Sequence, residues 1–143
     1  MDKLTSRRSA LVAATTLLEF VDPEGDTASL EADFTFDPAD PYAVTTVFKT
    51  ASGAVSWTFG RDLVIHGIYE PTGDGDVHVW PCLSSTGVAV VIFELSSPDG
   101  EVLVQAPSRD LVGFVTEMLA SVPEGEESLY VDLDLALGNL LGS

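Results

Sequence analysis

The sequence is poor in basic residues. Only six of its 143 residues are Lys or Arg, against 23 Asp or Glu, which gives a formal net charge of -17. Three of the six lie in the first eight residues, so Lys49, Arg61 and Arg109 are the only cations of the remaining chain. Nucleic acids and anionic membranes both draw affinity from cations, so this composition disfavours either as a partner. A protein partner or a small ligand remains.

Cysteine and long apolar runs are equally scarce. Cys82 stands alone, which excludes an internal disulfide and suits a reducing compartment. The longest weakly apolar run, residues 10–18, is shorter than the roughly 20 residues that a spanning helix needs. SRR at residues 6–8, followed by this run, resembles a twin-arginine export signal, but Glu19 and Asp22 close the run and no small-x-small cleavage site follows. We predict a first strand here, after a flexible tail at residues 1–9.

Apolar residues are plentiful, and their spacing predicts a mostly β fold. They make up 45% of the chain, unlike in disordered chains, and the length suits one domain over residues 1–143. No internal repeat or linker is visible. Alternation with a period of two predicts strands, of which the VAVVIF centre near residue 90 indicates burial on both faces. After the first strand, the predicted strands lie at residues 28–36, 42–48, around Val55, Trp57 and Phe59, and at 77–81, 87–95 and 101–106.

Turn residues separate these strands and indicate hairpins. DPADP at residues 37–41, Ser52-Gly53, the glycines between Gly73 and Gly75, and Ser97–Gly100 all carry Pro, Gly or Asp, which turns favour. A short helix is predicted from Arg61 to about His66. Gly67 would end that helix in the left-handed conformation.

A longer helix follows Pro107. Ser108 is predicted as its N-cap and Asp110 lies in its first turn, where an acid is favourable. The helix is predicted to end before Pro123, and its apolar face would contain Leu111, Val112, Val115, Met118 and Leu119. A last helix is predicted from Asp132 or Asp134, presenting Leu137, Leu140 and Leu141. Because short turns join the strands, the class is α+β with an antiparallel sheet of about seven strands.

The groups needed for chemistry do not form a familiar motif. A zinc site from His66, His78 and Cys82 with Asp74 or Asp76 lacks the spacing of paired Cys or His ligands. The alternative is that His78 faces solvent on a strand and His66 ends a helix. DGD at residues 74–76 lacks the further ligands of a calcium loop, and no catalytic motif is present. We expect no enzyme activity, no metal and no cofactor.

Arg61 is an isolated cation directly before Asp62, and it has two interpretations. It makes either an exposed ion pair or cap contact, which contributes little, or a buried or intersubunit bidentate pair with a carboxylate, which its planar guanidinium favours. The sequence favours the exposed pair and leaves the buried one open.

Several segments in fixed order resemble the SsgA-like proteins of spore-forming actinobacteria. They are DPYAVTTVF at residues 40–48, WTFGRDLVIHG at 57–67, EPTGDGDVHVWP at 70–81, LSSPDGEVLVQAP at 95–107, and DL with VPEGEE at 110–127. The resemblance extends from about Leu11 to Leu141. It identifies the motif residues as Asp40, Pro41, Tyr42, Trp57, Arg61, Asp62, Gly67, Pro71, Gly75, Asp76, Pro98, Asp99, Gly100, Phe114 and Pro123.

The resemblance implies a strongly bent antiparallel sheet with two to three helices, similar to whirly and guide-RNA-binding proteins. It also implies a cytoplasmic homotrimer that is not an enzyme and that helps to localise the tubulin-like GTPase FtsZ at sporulation septa. Residues 61–68, 70–76 and the terminal helices are the expected contact regions. The alternative is single-stranded nucleic-acid binding, with Tyr42, Trp57, Tyr69 and Trp80 stacking on bases unless they belong to the core.

Overall fold

The structure, a computed structural model, describes residues 10–22, 24, 26–98 and 100–131. These residues form eight strands, two helices and a further helical stretch at residues 127–131. The strands are β1 (Val12–Val21), β2 (Thr27–Phe36), β3 (Ala43–Thr50), β4 (Gly53–Gly60), β5 (Thr72–Asp74), β6 (Val77–Leu83), β7 (Ala89–Ser97) and β8 (Gly100–Pro107). The helices are α1 (Arg61–Gly67) and α2 (Ser108–Ser121).

The strands form one curled antiparallel sheet in the order β4-β3-β2-β1-β8-β7-β6-β5. The predicted α+β class and bent antiparallel sheet are therefore confirmed, with one strand more than expected. Four consecutive strands and a helix occur twice in succession, although the sequence shows no repeat. The two four-stranded halves meet where β1 pairs with β8, from Glu19 opposite Gln105 to Val21 opposite Leu103. This short seam joins the halves.

Alternation along the strands produces one apolar inner face. In β2, Ala32, Phe34 and Phe36 are fully buried, while Glu31 and Asp33 point to the outside. The Phe34 ring lies 5.7 Å from the ring of Phe93 on β7, measured between centroids. This aromatic contact joins the two halves across the inner face, and such tilted ring pairs add to the stabilisation from burial.

Helix α2 covers this inner face with the predicted apolar stripe. Leu111, Val115 and Met118 are buried together with Phe114, whose ring centroid lies 5.9 Å from that of Phe34. The helix ends at Ser121, before Pro123, as predicted.

The predicted cap of α2 was wrong. Ser108 is the first residue of the helix and Pro107 occupies the N-cap position, so no side chain caps the helix. Asp110 in the first turn instead accepts a hydrogen bond of 2.7 Å from the Thr16 hydroxyl of β1. The helix start is therefore attached to the sheet by a side chain from a distant strand.

The extra strand is β5, whose three residues are too few to show an alternating pattern. The turn after it was predicted correctly, with Gly75 at a φ of 60°.

The prediction that β7 is buried on both faces was wrong for most of the strand. Val91, Phe93 and Leu95 face the core, whereas Ile92 and Glu94 on the other face are half-buried.

Gly67 ends α1, but not in the left-handed conformation that the sequence predicted. Glycine is needed here because a side chain would not fit, since a Cβ atom at Gly67 would lie 2.6 Å from the Cβ atom of Val79 on β6. Glycine therefore allows the end of α1 to approach β6 closely.

Some predicted elements lie outside the described residues. They are the tail at residues 1–9, the middle of the β7–β8 turn at Asp99, and the last helix with Leu137, Leu140 and Leu141. Within the described ranges, no helix is long and apolar enough to span a membrane.

Candidate interaction site at helix α1

The first residue of α1 carries a buried charge. The Arg61 side chain is 1% exposed, and its Nη1 donates a 2.8 Å hydrogen bond to the carbonyl oxygen of Val122. Its Nη2 donates to the carbonyl oxygen of Pro123 at 3.2 Å, and the guanidinium lies 5.3 Å from the centre of the Phe36 ring. Arg61 thus attaches the start of α1 to the chain that follows α2.

Glu127 supplies the opposite charge. Its Oε2 accepts hydrogen bonds from Arg61 Nη2 at 2.8 Å and from Nε at 3.3 Å, while its Oε1 accepts the Gly125 N–H. The hydrogen bonds from Arg61, with a smaller contribution from its own backbone N–H, hold the pKa of Glu127 below its ordinary value. The carboxylate therefore stays charged, as a buried partner of arginine must.

This pair decides between the two interpretations of Arg61. The pair is buried and lies within the chain, so the preference for an exposed pair was wrong. Both donor atoms contact a single oxygen of Glu127, rather than one donor contacting each oxygen. The partner comes from the acid-rich VPEGEE segment, and the sequence did not connect this segment to Arg61. Among the described residues, its Glu127 is the only acid that forms an ion pair with the Arg61 guanidinium.

Two exposed tyrosines flank α1. Tyr42 is 53% exposed and its carbonyl oxygen accepts the Arg61 backbone N–H at 2.8 Å. Tyr69 is 72% exposed and its backbone N–H donates to the His66 carbonyl oxygen at 3.0 Å. Backbone hydrogen bonds therefore hold both tyrosines at the ends of a short helix.

The structure separates the motif residues into three groups. Around α1 lie Asp40, Pro41, Tyr42, Arg61, Asp62, Gly67, Pro71 and Pro123. At the β5–β6 and β7–β8 turns lie Gly75, Asp76, Pro98 and Gly100, and the Ser96 N–H donates to the Asp76 carbonyl oxygen to bring these turns together. Trp57 and Phe114 face the inner side of the sheet, and Asp99 is outside the described residues.

A sequence model of the family described as "Streptomyces sporulation and cell division protein, SsgA" matches residues 30–127. The chain belongs to the SsgA-like family. The sporulation-specific cell division protein SsgB of Streptomyces coelicolor is 48% identical over 111 residues, which cover 77% of this chain and 80% of that one. SsgB of Salinispora tropica is 40% identical over 137 residues, or 94% and 95% of the two chains.

Solved structures agree with this assignment. The SsgA-like sporulation-specific cell division protein of Thermobifida fusca superimposes with a TM-score of 0.86 at 30% identity, covering 94% of this chain and 98% of that one. The resemblance to the SsgA-like proteins seen in the sequence is confirmed, and both relatives given above are SsgB proteins. The SsgA-like chain thus has a role in cell division during sporulation.

The tryptophans of this SsgA-like chain do not form one stacking platform. Trp57 on β4 lies directly opposite Thr46 on β3, which lies directly opposite Phe34 on β2, so all three side chains point to the same face. Trp57 is therefore on the inner face, where it lines an apolar cavity of about 180 Å³. Trp80 is paired with Ile92, which is opposite Gln105, on the outer face. Stacking of successive bases needs aromatic rings along one surface, and these two rings lie on opposite surfaces.

The Lys and Arg side chains of the described region are either paired with acids or isolated. Arg61 is buried against Glu127, and Lys49 lies 3.1 Å from Glu31 and 3.2 Å from Asp33. Within that region, Arg109 alone keeps a cationic side chain without an acidic partner. A nucleic-acid backbone would therefore meet an acidic surface.

The metal ligands considered from the sequence are not brought together. Of the described residues, one group of three brings His, Cys, Asp or Glu ligand atoms close to each other, and it consists of Asp62, His66 and Glu124. His78 is exposed on β6 and Cys82 is exposed further along the same strand. Only His66 belongs to both groups.

Proposed function

We propose that this SsgA-like chain is a non-enzymatic adaptor that helps to localise FtsZ at sporulation septa through protein–protein contacts made by α1. The family, matched over most of the chain, supports the division role. The observation that carries the choice of surface is the pair of exposed tyrosines held at the two ends of α1. We call Tyr42, Asp62, His66 and Tyr69 the α1 surface.

Tyrosine suits a protein interface because its ring buries a large area while its hydroxyl keeps a polar contact. Asp62 and His66 lie between the tyrosines on one side of α1, four residues apart, so they share a helix face. The α1 surface therefore combines two aromatic anchors with an acidic and a titratable group, and it suits a partner patch that carries basic residues.

The Arg61–Glu127 pair prepares this surface before binding. A seven-residue helix is too short to be stable by itself, so its position depends on tertiary contacts. The buried guanidinium supplies four hydrogen bonds to residues 122–127. A surface that is already ordered loses less conformational freedom on association, and this improves affinity.

Oligomerisation would strengthen the attachment to FtsZ. We propose a homotrimer, so that one assembly presents three copies of the α1 surface to a filament of identical FtsZ subunits. Weak single contacts then give strong attachment, because the second and third contacts form within one complex. Light scattering of the purified chain tests this step, with a mass of three chains expected and a monomer contradicting it.

Co-sedimentation with polymerised FtsZ from the same organism tests the surface. Replacing both tyrosines, as Tyr42→Ser with Tyr69→Ser, is expected to weaken binding at least about tenfold, since central aromatic residues dominate interface energies. The matched control is Leu83→Ser with Val88→Ser, which removes two similarly exposed apolar side chains from the β6–β7 turn.

Retained binding in the tyrosine variant and loss in the control would move the contact away from α1. No co-sedimentation of the unmodified chain would contradict FtsZ as a direct partner, while the division role of the family would stand.

A further inference from the structure

Asp62, His66 and Glu124 form a cluster of metal-ligating side chains, two of which also belong to the α1 surface. The three ligand atoms lie within 4.8 Å of one another, and His66 Nε2 is 2.8 Å from Glu124 Oε2. Asp62 and His66 are one helical turn apart on α1, whereas Glu124 comes from the chain after α2. We propose that these side chains bind one zinc ion, which joins α1 to the segment at residues 122–127.

The donor set selects the class of metal. An imidazole nitrogen with two carboxylates suits zinc and related transition metals, whereas magnesium and calcium prefer oxygen ligands alone. Zinc binds nitrogen and oxygen ligands at about 2.0–2.2 Å, so tetrahedral ligands are separated by about 3.4 Å. One observed separation is 2.8 Å and none exceeds 4.8 Å, which is close to this value.

The surroundings hold the ligands in place. Arg61 directly precedes Asp62, and its guanidinium binds the carbonyl oxygens of Val122 and Pro123, directly before Glu124. The two backbone segments that carry the ligands are therefore attached to each other by a buried group before any metal arrives. Supporting contacts of this kind raise metal affinity, because the ligands are already positioned.

The local charge also favours a cation. Glu127 neutralises Arg61, so Arg61 does not compensate the charges of Asp62 and Glu124. Across the described residues, His66 is the one basic side chain in contact with either acid. Asp62 and Glu124 therefore bring two carboxylates to one site, in a protein of net charge -17.

Three protein ligands leave one position of a tetrahedral zinc site open to water or to a side chain of a partner. This differs from the expectation of no metal that the sequence supported. The expectation rested on ligand spacing along the chain, and the fold brings Glu124 to α1 from 58 residues beyond His66.

Zinc binding by the untagged full chain tests the inference, and FtsZ is absent from the assay. The chain is freed of metal with a chelator, and zinc is then titrated against an indicator dye at neutral pH. One zinc per chain is expected, together with a rise in the unfolding temperature. His66→Gln and Glu124→Gln are each expected to reduce the affinity at least tenfold, because even an outer-shell change costs 10–100-fold.

His78→Gln is the matched control, since it removes the other histidine of the chain from an exposed position on β6. It is expected to bind zinc like the unmodified chain. Circular dichroism without zinc verifies that each variant folds, and Glu124→Gln carries the test if the His66 variant does not. Absence of zinc binding, undiminished binding in both ligand variants, or loss of binding in the His78 variant would overturn the inference.

Discussion

The two helices each follow a four-stranded half of the sheet, but they are held by different forces. Helix α2 has 14 residues and buries a row of large apolar side chains, Leu111, Phe114, Val115 and Met118. Helix α1 has seven residues, begins with a buried arginine, and ends in a glycine pressed against β6. Helix α2 relies mainly on apolar burial, with one hydrogen bond from Thr16 to Asp110, whereas α1 adds a buried ion pair and a close steric contact to its apolar burial.

The difference has a functional consequence. An apolar stripe commits one side of α2 to the core, and α2 serves stability. Leu63, Val64 and Ile65 bury one side of α1 and the polar and steric contacts fix its two ends, so Asp62 and His66 on the other side remain accessible to another molecule. We therefore assign partner binding to α1, the helix that is held by a buried ion pair and a close glycine contact.

The largest effect is expected from α2. Phe114→Ala removes a fully buried ring that contacts Phe34, and should reduce the free energy of unfolding by about 4 kcal/mol. Chemical denaturation measures the change. If this loss were smaller than that of any α1 variant below, the comparison between an apolar and a polar anchor would be reversed.

Arg61→Met tests the anchor of α1. The substitution keeps much of the side-chain volume but leaves Glu127 charged, buried and without its partner, so a loss of about 3 kcal/mol is expected. Arg61→Met with Glu127→Met should recover part of that loss, because two apolar side chains can replace a buried pair. Losses that simply add would show that the two residues do not act together.

Replacing glycine by alanine should have opposite effects on stability in the two helices. Gly67→Ala places a Cβ atom 2.6 Å from the Cβ atom of Val79, and should destabilise the fold by about 1–2 kcal/mol. Gly113→Ala on α2 meets no atom within 4 Å and should stabilise it by about 0.5–1 kcal/mol, because alanine favours helix. Thermal or chemical unfolding of both variants measures the contrast, and equal effects would argue against a steric role of Gly67.

Glu127→Gln keeps the shape but removes the counter-charge of the buried Arg61, so it should destabilise the fold, and its effect should depend on pH. Because Arg61 lowers the folded pKa of Glu127, the stabilisation is fully present above its ordinary value of 4.5 and is lost as pH falls through the folded value. The stability difference between wild type and variant should thus be constant near neutrality and shrink below about pH 4.5. A difference that stays constant to low pH would mean that the charge of Glu127 contributes nothing.

The sequence predicted most of the fold because the signals were local. Period-two alternation located the longer strands, and the stripe through Leu111, Val115 and Met118 located α2. It missed β5, which is too short to alternate, and it assigned Gly67 a backbone role when the reason is contact with Val79, 12 residues away.

The candidate site was only partly visible. The isolated Arg61 drew attention, but its partner Glu127 lies 66 residues later, and no local pattern chooses one acid among 23. The same limit concealed the proximity of Glu124 to His66. Such pairs are created by tertiary packing, which places α1 beside the chain that follows α2.

Hydrogen exchange of backbone amides, with and without polymerised FtsZ, tests most directly the claim that α1 presents the binding surface. We predict slower exchange at residues 61–70 when FtsZ is bound, with the amides of β6 and β7 unchanged. Protection confined to the amides of β6 and β7, with residues 61–70 exchanging as in the free protein, would contradict the assignment.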